Sequence, residues 1–129
     1  MAGKEEPNAL IKPRILIVED EPFIALTLED MLDELGFVVV GSVSHIAEAL
    51  NLIAHEQIDG ALLDVNLGTQ KIDPVADLLA ERACPFVFTT GYGRSGVPIA
   101  HADRAVLQKP FRMDDLADIL ETHFRSKAH

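Results

Sequence analysis

Four stretches of this sequence end on side chains that could share one reaction. Glu19 and Asp20 close an apolar run that begins at Arg14, Asp64 closes GALLD, Thr90 closes PFVFTT, and Lys109 stands between RAVLQ and Pro110. Three carboxylates gathered within a few ångströms repel one another, so such a cluster must hold either protons or a cation. Magnesium prefers six oxygens, keeps several waters and takes only one or two carboxylates directly. That suits Asp20 and Asp64 as ligands, with Glu19 acting through water. If Asp64 attacks a phosphoryl group, the charge that spreads over the equatorial oxygens must meet fixed donors and cations. Magnesium, the Lys109 ammonium and the Thr90 hydroxyl are the partners on offer. Taken singly, each piece has a plain structural reading, since an acidic pair after a strand is usually a solvated turn. The set is what points to chemistry.

Those residues need elements to carry them. Arg14 to Glu19, Phe37 to Val43, Gly60 to Val65, Pro85 to Thr90 and Arg104 to Gln108 read as five strands, mostly apolar and branched. Between the first two, Ile24, Leu28, Met31, Leu32 and Leu35 recur at helical spacing over Pro22 to Leu35, and Gly36 supplies a stop. Ser44 is the expected cap of a second helix with Ile46, Leu50, Ile53 and Ala54 on one face, and Asp73–Pro74 starts a third. A last helix over Met113 to Arg125 has Asp114 and Asp115 in its first turn and buries Leu116, Ile119, Leu120 and Phe124. Apolar strands alternating with helices predict an α/β doubly wound sandwich, a five-stranded parallel sheet in order 2-1-3-4-5 covered on both faces. Residues 1–13, with Pro7 and Pro13 and no period, read as a flexible tail ahead of a domain over 14–126.

A formal charge of −10 repels nucleic acid and anionic lipid, and no basic patch is visible. One cysteine, Cys84, allows no internal disulfide, and no signal peptide or membrane span is apparent, so a reducing cytoplasm is the expected compartment. Cys84 precedes Pro85 at a strand start and reads as filler. The histidines are scattered, which argues against zinc.

ILIVEDEP, LLDVNL, FTTGYG and LQKPF together resemble the signature blocks of the response-regulator receiver family, over about residues 14–126. The resemblance implies a flavodoxin-like, CheY-like fold in which Asp64 is the phosphoacceptor, Glu19 and Asp20 the acidic pair, Thr90 the switch hydroxyl and Lys109 the site lysine. It further implies that the Asn66 carbonyl completes the magnesium shell and that the Lys109–Pro110 bond is cis. Three features depart from the common pattern. Val106 stands where most receivers have an aromatic residue, VNLG follows Asp64 where many have a proline, and GYGRSGVPIAH after Thr90 is poorly suited to a helix. The fourth helix is therefore expected to be short or missing. Phe88 to Gly91 resembles the Phe-x-Thr-Gly motif of stand-alone alphaproteobacterial receivers.

Gly91, Gly93 and Gly96 also spell G-x-G-x-x-G, but no long helix can follow them, and a dinucleotide site is set aside. Phe23 is a candidate docking anchor for a kinase or phosphotransfer helix, with core packing as the alternative, and Tyr92 belongs to a candidate output loop. The leading expectation is a signalling module that is not an enzyme but assists its own phosphorylation and dephosphorylation. It takes phosphate from a histidine kinase or histidine phosphotransfer protein and acts on an unknown downstream protein or as a phosphate sink. The alternatives are an aspartate-nucleophile phosphatase, whose D-x-D motif is absent because Asn66 stands two after Asp64, and a pseudo-receiver that only binds. A homodimer through the last helix and strand stays open.

Overall fold

Residues 12–125 are described by the computed structural model of the chain. Strands β1 (Arg14–Val18), β2 (Val38–Val43), β3 (Gly60–Asp64), β4 (Phe86–Thr90) and β5 (Val106–Gln108) form one parallel sheet in the order β2-β1-β3-β4-β5, as expected. β3 and β4 are buried along their whole length, and residues alternate between two faces. Leu16, Leu63 and Phe88 meet α2 (Ile46–His55) and α3 (Asp73–Glu81) through Ala49, Ile53, Val75 and Leu79. On the other face, Ile15, Ile17, Leu62 and Val87 meet α1 (Pro22–Glu34) and α4 (Met113–Leu120) through Leu28, Leu32, Leu116 and Leu120. The result is a three-layer sandwich with two helices on each side.

Gly36 ends α1 as its position suggested. It takes φ +91°, a conformation that costs residues with a Cβ, and the following Phe37 N–H donates to the Leu32 carbonyl. Several expectations need correction. Ser44 does not cap α2: its hydroxyl meets His45 Nδ1 at 3.0 Å, and the first amide of the helix, Ile46 N–H, donates instead to Gln70 Oε1 at 3.0 Å. Ala54 is exposed, because the buried stripe of α2 runs through Ala49 and Ile53. The last helix is α-helical only to Leu120, and Glu121–Arg125 winds as a wider π turn. Most of the expected tail 1–13 lies outside the described residues. Pro13, however, is buried, and its carbonyl accepts the Val38 N–H, so the sheet contacts begin there.

The π turn seats Phe124 against Gly60, the first residue of β3. A Cβ at Gly60 would come within 2.6 Å of Phe124 Cδ1, and a buried ring has no free space to retreat into. Gly60→Ala is therefore expected to cost about 1–3 kcal/mol of stability, read as a lower urea midpoint at unchanged slope. An unchanged midpoint would mean that the ring moves freely.

Between β4 and β5 there is no α-helix, only a 3-10 turn at Ile99–His101. The cause is local: Gly93 and Gly96 take positive φ (66° and 92°), and Pro98 removes an amide donor. The segment is nonetheless anchored. Arg94 donates to the carbonyls of Ala102 (3.1 Å) and Arg104 (3.0 Å), and His101 is buried with Nε2 2.7 Å from Asp77 Oδ1.

Candidate functional site

The carboxyl ends of the parallel strands define one rim, where crossovers leave a crevice between β1 and β3. Glu19 follows β1 directly and is buried, whereas Asp20 turns out to solvent. Asp64 is the last residue of β3 and is buried. One carboxylate oxygen from each of Glu19, Asp20 and Asp64 lies within 4.8 Å of the others. Lys109, just past β5, reaches across the sheet edge: its Nζ is 2.9 Å from Glu19 Oε1 and 3.5 Å from Asp64 Oδ1. The Lys109–Pro110 peptide is cis.

Each acidic side chain is held differently. Glu19 Oε2 accepts the Glu21 N–H at 3.1 Å, and the buried Oε1 has no hydrogen-bond partner beyond the Lys109 ammonium among the described residues. Asp64 Oδ1 accepts the Asn66 N–H at 3.0 Å, which leaves Oδ2 without a hydrogen bond from the described residues. Burial pushes the Glu19 carboxyl above its ordinary range, against the pull of Lys109 and the Glu21 amide, and Asp64 adds to the rise. Burial alone would lower Lys109, but Glu19 and Asp64 outweigh it and raise the ammonium above its ordinary value.

Thr90 ends β4 next to this cluster and is fully buried, with Oγ1 accepting the Tyr92 N–H at 3.0 Å. Its hydroxyl oxygen is thus tied to the first turn of the β4–β5 segment. Gln108 Oε1 accepts the Gly93 N–H at 3.2 Å, a second tie to the same turn. Gln108, Arg94 and Gln70 carry roles that the sequence reading did not assign. Their partners are main-chain groups 8 to 24 positions away in the chain, and spacing gives no signal for such bonds.

Phe23 is 79% exposed and Leu26 55% exposed on α1, so Phe23 is not core. Tyr92 at 76% and Ile99 at 94% project from the β4–β5 segment. Cys84 lies away from the rim, half-buried, with Sγ directed at the Ile58 carbonyl, and burial followed by the nearby Asp59 charge pushes its thiol up to about 11. A thiol reagent at pH 8 is expected to label it only after unfolding. Between pH 9 and 11 the folded state keeps a proton that the unfolded chain releases, so Cys84 makes stability fall as pH rises there. Rapid labelling of the native protein at pH 8 would contradict this environment.

The response regulator receiver domain family matches residues 15–121, nearly all of the described fold. The chain belongs to the response-regulator receiver family. Among individual proteins, this receiver domain is 30% identical to the transcriptional regulatory protein PdtaR of Mycobacterium tuberculosis, over 90% of this chain and 58% of that protein. It is 33% identical to the phyllosphere-induced regulator PhyR of Methylorubrum extorquens, over 92% of this chain and 46% of that protein. The chain thus spans about half the length of these two relatives. The solution structure of SdrG from Sphingomonas melonis Fr1 superposes with a TM-score of 0.77 at 51% identity, covering 84% of this chain and 93% of that one. A second SdrG structure, described as the BeF3-activated conformation, gives a TM-score of 0.73 at 52% identity over 83% of this chain and 92% of that one. No helix among the described residues is long and apolar enough to cross a membrane.

Proposed function

We propose that this receiver domain accepts a phosphoryl group on Asp64 from the phosphohistidine of a histidine kinase or phosphotransfer protein. The observation that carries the reading is the cluster of three carboxylates within 4.8 Å, bridged on one side by Lys109 at the carboxyl rim of the sheet. The donor set fits a hard divalent cation, since three oxygen donors face a single ammonium and Asp20 has no partner of its own among the described residues. Asp20, Asp64 and the Asn66 carbonyl would hold magnesium, with Glu19 acting through water. When bound, magnesium draws charge from the phosphoryl oxygens and relieves the repulsion between carboxylates.

The chain's own groups supply the remainder. A carboxylate oxygen of Asp64 forms a bond to phosphorus as the P–N bond of the donor breaks, and the electron pair of that bond stays on the imidazole nitrogen. Lys109 compensates the negative charge of the transferring group. The Thr90 hydroxyl accepts from Tyr92 with its oxygen, so its hydrogen is available to a phosphoryl oxygen. Drawing Thr90 toward the new group pulls on the Tyr92 amide and so on the β4–β5 segment. With Val106 in place of an aromatic side chain, this main-chain tie takes over the switching role. Phe23 and Leu26 give the donor's helix an apolar anchor beside the site, and Tyr92 and Ile99 meet the downstream protein. The domain turns over no substrate, and it works in the cytoplasm, where the donor's phosphohistidine is made.

Incubation with acetyl phosphate and magnesium, followed by intact-mass and peptide analysis, tests the reading. One phosphoryl adduct on Asp64 that requires the metal supports it. Continuous turnover of an aryl phosphate would replace it with a phosphatase, and no adduct would leave a binding module. Beryllofluoride, the ligand named for one SdrG structure, gives a second test. Amide exchange across residues 91–103 is expected to slow when it binds, and identical protection would remove the output role of that segment.

A further inference from the structure

At the amino-terminal ends of the strands, opposite the rim that carries Asp64, a cavity of about 470 Å³ opens beside the start of β4, and its lining includes Phe86, His101, Asp103, Arg104 and His123. The size falls within the usual range for small-molecule sites. Ala80, Pro85, Ala100 and Ala105 line the rest of it.

Arg104 distinguishes this cavity from an ordinary surface dent. Of the described arginines, Arg14, Arg82, Arg94, Arg112 and Arg125 each have a hydrogen bond or ion pair. Arg104 shows none for its guanidinium among the described residues; its Cζ lies over the Phe86 ring, 4.1 Å from the centroid. Stacking satisfies the face of a guanidinium but leaves its edge donors unused, and those donors match the oxygens of a carboxylate or phosphate. The mounting is fixed from several sides. Arg104 O accepts from Arg94, Arg104 N–H donates to His101 O, Phe86 is locked edge-on by Phe88 and His101, and Asp77 holds His101. Asp103, the chain neighbour, forms no ion pair with Arg104, and no other described residue neutralises the cation in place. In a chain of formal charge −10, a cation on a well-held stretch of backbone, with no ion-pair partner among the described residues and set in a polar cavity, is an exception that calls for an anionic partner.

We infer that this cavity binds a small molecule through a carboxylate or phosphate oxyanion, with Arg104 as the recognising fork and His123 on the rim. Asp103 disfavours highly charged ligands, so a singly charged oxyanion is the best match. The inference is independent of the chemistry at Asp64.

The test is an amide and Arg Nε–H NMR titration of the full chain with acetate and, separately, inorganic phosphate, at ionic strength held constant with sodium chloride. Saturable shifts at Arg104, Ala105 and His123 are expected. Arg104→Gln should weaken them about tenfold or more, while Arg104→Lys keeps part of the binding and serves as a folded control. A response to acetate alone assigns a carboxylate ligand, and a response to phosphate alone assigns a phosphate ester. Linear shifts with either salt, shifts unaltered in Arg104→Gln, or shifts confined to the Glu19–Asp64 rim would overturn the inference.

Discussion

Asp64→Asn is expected to take up no phosphoryl group and, in metal-free buffer, to melt at a higher temperature than the native protein. The first effect follows from removal of the proposed nucleophile, and a loss of more than about a thousandfold is the scale for such a deletion. The second follows from the geometry of the rim. Asp64 and Glu19 are both buried, and among the described residues the Lys109 ammonium is the one cation within ion-pair distance of either. An amide of the same shape keeps an acceptor for the Asn66 N–H but ends the like-charge repulsion, which is worth about 1–2 kcal/mol in a partly desolvated cluster. Magnesium should raise the melting temperature of the native protein by mass action and that of the variant much less. Calorimetry with EDTA and with magnesium separates the two contributions. A variant that melts lower in EDTA would show that Asp64 is held mainly by attraction to Lys109, and the proposed cation requirement would lose its basis.

The second large effect is that of Lys109→Met, which keeps the length of the side chain and removes its charge. Glu19 and Asp64 are then left facing each other with no cation. A loss of about 2–4 kcal/mol in metal-free buffer is expected, the range for breaking one side of a largely buried pair. Phosphoryl uptake should fall about 100- to 1,000-fold, as for other deletions of a fixed charge donor. The pH dependence has a definite sign. In the native protein Lys109 is raised above its ordinary value, so its contribution is complete at neutral pH and is lost only as pH rises through the folded-state value. Glu19 is raised by burial, so above the ordinary carboxylate range the unfolded chain releases a proton that the folded state retains, and stability falls as pH rises through that window. Without Lys109 the fall should be steeper, and the deficit of the variant should narrow as the pH approaches the ordinary range of a glutamate. Urea midpoints at pH 5 and pH 8 measure it, and a deficit equal at both would exclude charge as the cause.

How much of this was readable in advance depended on the range of the interactions. β3 and β4 are covered on both faces, so their runs GALLD and FVFTT are apolar or hydroxylated up to the terminal Asp64 and stand out from composition alone. The position of Asp64 at a strand end follows from those runs, and its proximity to Glu19 follows from β1 and β3 being neighbours. The missing helix after β4 was visible in Gly91, Gly93, Gly96 and Pro98 because those residues act locally on the backbone. The start of α2 was misread for the opposite reason. Ser44 has the right chemistry and position for a cap, but Gln70, from the turn after β3, occupies that role from 24 residues away. The π turn at the end of α4 was equally hidden, since Phe124 keeps helical spacing in the sequence and its departure depends on Gly60 lying beneath it. Long-range partners decided both of these cases.

The grip of Arg94 on two carbonyl oxygens has an evolutionary corollary. Every residue offers the same carbonyl, so the anchor holds the route of the main chain without reading the side chains along it. Positions such as Tyr92 and Ile99 can therefore be exchanged at little cost to the shape of the loop. On the proposed output role, copies of such a domain that differ at those two positions would be insulated from cross-talk, each reaching its own target from an identical scaffold.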